Sequence, residues 1–178
     1  MKTWTLTHTG FVEVNVTQEM RDAADKRDKS FYNRLGNVGT HRTDKGRQRT
    51  TGYLAEAAVA SVFPRLEYSK DPNIDFIFKD ITFDVKAQGC NSMPSPTFVG
   101  TLYEEQSSRE VDFYIFTRVK NDFTKVWITG FVSKKQFLST AKLIPVGAVN
   151  NNFRYDQARY EIEYRLLTKP QQFMGPKT

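Results

Sequence analysis

The run Val111-Asp112-Phe113-Tyr114-Ile115-Phe116-Thr117-Arg118-Val119 constrains the fold more than any other stretch of the chain. It is almost continuously apolar, rich in aromatic and β-branched residues, and lacks the alternation of a strand with one wet face. It therefore predicts a strand in a central position of a sheet. Residues 125–132 predict its neighbour, joined through residues 120–124. Residues 53–63 give the strongest helix signal, which Pro64 closes. That helix is apolar nearly all round, as buried helices are, and Glu56 is its only charge. A buried carboxylate is costly unless it is paired or bound to a cation.

A second constellation lies between these elements. Strand geometry sorts residues by parity. In residues 81–88, Ile81, Phe83, Val85 and Ala87 form an apolar face, while Thr82, Asp84, Lys86 and Gln88 line the other. Asp84 and Lys86 thus point the same way, at a separation that lets both reach one phosphate. Upstream, residues 74–78 read as a strand with Asp75 at its mouth, and the short polar Lys79-Asp80 predicts an antiparallel hairpin with residues 81–88. Asp71 rivals Asp75, and either residue can serve as a turn former instead.

A helix carrying Glu56, then Asp75 at a strand start after a Pro, then Asp84-x-Lys86 on the next strand, resembles the PD-(D/E)XK nuclease superfamily over residues 50–88. Pro72 stands three residues before Asp75, where the family pattern has the two adjacent. Residues 111–133, two strands and then a helix, look like the second half of phage-type members. The resemblance implies an α/β fold with a restriction-endonuclease-like core, a central mixed β-sheet flanked by helices, extended here by an N-terminal hairpin and helix. It implies that Asp75 and Asp84 hold Mg²⁺ or Mn²⁺ with the Val85 carbonyl and water, and that Glu56 is a further ligand, direct or through water. Hard oxygen ligands suit these ions better than zinc. Lys86 would position or help deprotonate the attacking water, or offset charge in the transition state. Gln88 would orient phosphate or water, or serve as an ordinary polar residue. The implied function is a metal-dependent DNA nuclease, an endonuclease first. The alternatives are a structure-selective, Holliday-junction-type resolvase and a protein of the same fold that binds nucleic acid without cutting it.

Composition agrees with a polyanionic partner: the net charge is +6 over 178 residues. A chain of this size can bury one good core, and a single domain is expected, with residues 1–49 as hairpin, helix and basic loop, 50–168 as core and 169–178 as a loose tail. The single cysteine, Cys90, excludes an internal disulfide. No stretch is long enough to span a membrane, and the expected setting is cytoplasmic, in a phage-infected cell if the resemblance holds. The N-terminal hairpin is predicted from residues 3–7 and 11–16, followed by a helix over 18–35 that Thr17 caps. These two are the candidate interface if the chain forms a homodimer. Residues 36–51 read as a glycine-interrupted loop carrying His41, Arg42, Lys45, Arg47 and Arg49, cations suited to a DNA backbone. Residues 89–96 read as a loop able to form a flap, and 98–106 as strand or helix. A helix is predicted from Ser133 to about residue 143, with Phe137, Leu138 and Ala141 facing inward, and an edge or hairpin strand over 159–167.

Overall fold

A computed structural model describes residues 3–35, 43–150 and 153–174. The central strand is β7 (Phe113–Lys120), which runs antiparallel to β8 (Lys125–Ser133). Between them Asp122 Oδ1 accepts from the Thr124 amide (3.0 Å) and hydroxyl (2.6 Å), a side-chain-closed turn. On its other side β7 runs parallel to β5 (Ile81–Cys90). Outward from β8 lie β2 (Val12–Asn15) and β1 (Trp4–Leu6), and outward from β5 lie β4 (Phe76–Phe78) and β3 (Glu67–Tyr68). The result is a mixed seven-stranded sheet in the order β1-β2-β8-β7-β5-β4-β3. The protein is thus an α/β fold.

Both faces of this sheet are covered, as the apolar β7 requires. One face receives α1 (Gln18–Leu35) and α2 (Thr43–Val62). Leu54, Ala55, Ala58 and Val59 of α2 pack on Phe83, Ile115, Val126 and Ile128. Thr17 caps α1 by accepting from the Met20 amide at 3.3 Å. The other face receives α3 (Lys134–Thr140) and a second sheet of three strands, β6 (Val99–Tyr103), β12 (Arg159–Glu163) and β9 (Lys142–Ile144). Leu102, Ile162 and Tyr164 there meet Tyr114, Phe116 and Phe137. A further pair, β10 (Val149–Asn150) and β11 (Phe153–Arg154), stands apart. No helix among the described residues is long and apolar enough to cross a membrane.

The N-terminal hairpin, the helix over 18–35 and the hairpin of residues 76–78 with 81–90 form as the sequence predicts. Several expectations need correction. The stretch 36–51 is not all loop: α2 already begins at Thr43, so Arg47 and Arg49 are helical. Gly89 and Cys90 continue β5 rather than opening a flap. Residues 98–106 divide into strand β6 and a 3₁₀ turn, Glu104–Ser108. Helix α3 stops at Thr140, Leu138 is exposed, and residues 142–144 join the second sheet as β9. Strand β12 is not an edge but the middle of that sheet, paired with β6 and β9. Alternation shows one buried face; it cannot count neighbours. Pro170–Phe173 is no loose tail, since it forms a 3₁₀ turn whose Phe173 ring stacks on Phe131 at 4.2 Å.

The second sheet packs closely on the first at Gly100. A Cβ there would lie within 3 Å of three ring carbons of Phe116, which is itself almost fully buried. Gly100→Ala is expected to destabilise the protein by about 1–3 kcal/mol through overpacking, read as a lower urea midpoint with an unchanged slope.

Candidate active site

Strand β4 is short, and the candidate site is built where it ends. Phe76 pairs with Phe83, so Asp75 lies alongside Asp84. The Asp75 backbone is held on both sides: its amide donates to the Phe83 carbonyl, and its carbonyl accepts from the Ser69 amide, each at 3.0 Å. Its side chain then continues the ladder. The Val85 amide donates to Asp75 Oδ2 at 2.6 Å, a rung in which a carboxylate replaces backbone. In an antiparallel ladder the N–H and C=O of one residue face the same neighbour. The Val85 carbonyl therefore also points towards the side where β4 has stopped. Asp71, the rival residue, is an exposed turn former whose Oδ1 accepts from the Asn73 amide at 2.8 Å.

The parity of β5 is as predicted. Phe83, Val85 and Ala87 join the core under α2. Asp84, Lys86 and Gln88 occupy the opposite face, level with Tyr114, Phe116 and Arg118 of β7. Asp84 is 4 % exposed, and Lys86 Nζ stands 2.7 Å from its Oδ2. That contact lacks hydrogen-bond alignment, so Oδ2 remains a buried oxygen without a hydrogen-bond donor. Lys86 Nζ donates instead to Gln106 Oε1 at 3.3 Å.

Glu56 approaches from α2 and is buried. Its carboxylate takes an ion pair from Arg27 of α1, whose guanidinium lies over the rings of Tyr53 (4.6 Å) and Tyr68 (5.3 Å). Burial pushes the Glu56 carboxyl above the usual range, and the charge of Asp84 adds to that, while Arg27 works against it. The Asp75 carboxyl is pushed up to about 8, first by burial and then by the charges of Glu56 and Asp84. The three carboxyl groups thus share one electrostatic neighbourhood, although Asp84 sits on the opposite sheet face from α2.

They do not form a ready cage. Among the described residues no three acidic, His or Cys side chains are grouped as metal ligands. Each carboxylate has a protein counter-group instead: Arg27 for Glu56, the Val85 amide for Asp75 and Lys86 for Asp84. Two cations, Arg27 and Lys86, thus face three carboxyls, and Asp75, which has the Val85 amide as its counter-group, is held above its ordinary pKa first by burial and then by the charges of Glu56 and Asp84. A divalent cation with hard oxygen ligands fits that deficit.

Beyond Asp84, β5 has a strand neighbour on the β7 side only, among the described residues. This open edge floors a cleft of about 670 Å³ between the first half of α2 and the second sheet. Arg47, Lys86, Arg118 and Arg159 line it, and no described acidic side chain does. Gln88 lines it too, with Nε2 donating to Thr101 Oγ1 and Oε1 accepting from the Tyr164 hydroxyl at 3.4 Å. A second cleft, about 890 Å³, opens on the other side of the site and reaches Glu56 and Asp75.

Of the expected nucleic-acid residues, His41 and Arg42 lie outside the described residues, as does the side chain of Lys45. Arg47 lines the first cleft, its Nη2 donating to the Asn121 carbonyl at 2.8 Å. Arg49, on the same helix, does not line it. Sequence reasoning missed Arg27, Gln106, Arg118 and Arg159. Arg118 carried a readable signal, being the one cation inside an apolar strand. Arg27 sat in a charged helix face with nothing to distinguish it, and Gln106 and Arg159 depend on long-range pairing. No family model matches the chain, and no curated protein matches it either.

The raised Asp75 pKa has a sign in stability. In the unfolded chain the carboxyl ionises near pH 4, whereas in the folded chain it keeps its proton to about pH 8. The stability it contributes is therefore full below about pH 4 and is lost as pH rises towards about 8. In chelator, the denaturation midpoint of the wild type is expected to fall relative to that of Asp75→Asn between about pH 5 and about pH 8. A constant difference between the two proteins would show that the site does not hold this proton.

Proposed function

We propose that this chain is a metal-dependent nuclease of the PD-(D/E)XK type that hydrolyses DNA phosphodiester bonds. One observation carries the reading: a buried, charge-deficient pair of carboxyls, Asp75 and Asp84, sits beside Lys86 at the head of a cleft lined by cations. Nucleic acid is the polyanion that such a cleft suits, and the net charge of +6 favours its approach.

Asp75, Asp84 and the Val85 carbonyl would hold Mg²⁺ or Mn²⁺, with Glu56 as an outer ligand once its carboxylate turns from Arg27. When bound, such an ion activates water and offsets phosphate charge. Lys86 directs its ammonium towards the attacking water and the phosphate oxygens, and Gln106 restricts where that ammonium can go. Arg47 holds the flanking backbone. Gln88 contributes by fixing the cleft wall through Thr101 and Tyr164 more than by direct chemistry, since both ends of its amide are engaged.

Purified protein with Mg²⁺ or Mn²⁺ is expected to nick or degrade DNA, and chelator to stop it. Supercoiled, linear, single-stranded and branched substrates cover the endonuclease and resolvase variants of the reading. Asp84→Asn and Lys86→Ala should each lower the rate by about 10²-fold or more while circular dichroism shows the fold retained. Inactivity of the wild type on all four substrates would overturn the nuclease reading.

A further inference from the structure

The wall of the cationic cleft facing α2 is the second sheet, and its outward side chains have no part in the chemistry above. Tyr103 and Arg159 are direct cross-strand partners on β6 and β12. Such partners stand side by side on one face, and both line the cleft. Residues of opposite parity on the same two strands point inward: Leu102 and Ile162 enter the core. Tyr103 is 42 % exposed, a large aromatic ring presented to the cleft. Arg159 packs its guanidinium 3.6 Å from the Tyr155 ring, and its buried Nε stands 3.3 Å from Glu161 Oε1. An arginine held flat against one ring, beside an exposed tyrosine, sets a cation next to a stacking platform.

We propose that this cleft takes a single unpaired DNA strand, with Tyr103 stacking on a base and Arg159 and Arg47 contacting its phosphates on opposite walls. The proposal rests on the nuclease reading for its choice of nucleic acid and goes beyond it in naming the strand state. Two physical arguments favour an unpaired strand. In a duplex the base faces are already stacked on one another, so an exposed tyrosine gains a partner only where a nucleotide is free. The volume, about 670 Å³, is that of a small-molecule pocket and suits a short stretch of one strand better than a double helix. No described acidic side chain lines the cleft itself, although Glu161 pairs with Arg159 and Asp84 with Lys86 at its margin. The open edge of β5 at the floor brings such a strand past Lys86 and Asp84.

Binding can be read apart from cleavage by using the full chain carrying Asp84→Asn in chelator, with a fluorescent oligonucleotide and its duplex of the same sequence. The single strand is expected to bind about tenfold tighter than the duplex. Tyr103→Ala should lower single-strand affinity by about tenfold and Tyr103→Phe should restore it, because stacking needs the ring and not the hydroxyl. Arg159→Gln should reduce the slope of log affinity against log salt by about 0.7, the loss of one phosphate contact. A duplex that binds as well as the single strand, or a Tyr103→Ala protein with unchanged single-strand affinity and an unchanged melting temperature, overturns the proposal. The two readings fail separately. A wild type that cuts nothing but prefers single strands removes the nuclease alone, whereas one that cuts and prefers duplex removes only the strand preference.

Discussion

Because β5 and β7 run parallel, no hairpin can join them, and the chain must leave the sheet after Cys90 and return at Phe113. Much of the molecule follows from that detour. The crossover, residues 91–112, carries β6 and the 3₁₀ turn Glu104–Ser108, and so delivers Thr101, Tyr103 and Gln106 to one side of β5. Strand β6 in turn recruits β12 and β9, which cover the second face of β7. The same pairing sets Asp84, Lys86 and Gln88 opposite Tyr114, Phe116 and Arg118, which settles the face that the motif occupies. Arg118 completes the join, donating to the Gly89 and Val99 carbonyls at 3.2 and 2.8 Å and to the Tyr164 hydroxyl at 2.6 Å. Its charge is spent on holding strand, crossover and second sheet together.

The acidic cluster can persist in this setting because each carboxylate has its own counter-group, one on α1 and two on β5. Glu56 uses α1 through Arg27, Asp75 uses the backbone of β5, and Asp84 uses its own strand through Lys86. Removing one partner of a buried charge typically costs more than the pair contributes, so these contacts restrain the geometry beyond their net energy. Arg27 is unusual among them, being partly exposed, sandwiched by two tyrosines and carried on a helix peripheral to the sheet. The availability of Glu56 is thereby tied to the placement of α1.

Local chemistry made the centre of the protein readable in sequence. Strand parity placed Asp84 and Lys86 together, the lone charge in an apolar helix pointed to Glu56, and the two-residue Lys79-Asp80 link fixed the hairpin that brings Asp75 beside Asp84. What escaped was decided by distant pairing or tertiary support. Thr43 to Thr51, with Gly46 and several cations, has the composition of a loop, yet it is helical; propensity is a weak prior when a helix continues into a packed segment. Residues 159–163 alternate as a strand must, but only the fold reveals that both of its edges are paired. The cleft wall had no local signature at all, because Tyr103 and Arg159 become neighbours only when β6 meets β12.

Strand β4 pairs with β5 only as far as Phe83, which leaves the distal half of β5 without a strand neighbour on that edge among the described residues, and such edges tend to recruit a strand from another molecule. Proteins commonly defend them with a lysine and with flanking structure that narrows access. Here Lys86 and the walls built by α2 and β6 occupy that defensive position. The gap that opens the floor of the cleft is therefore also the stretch of sheet edge that Lys86 guards.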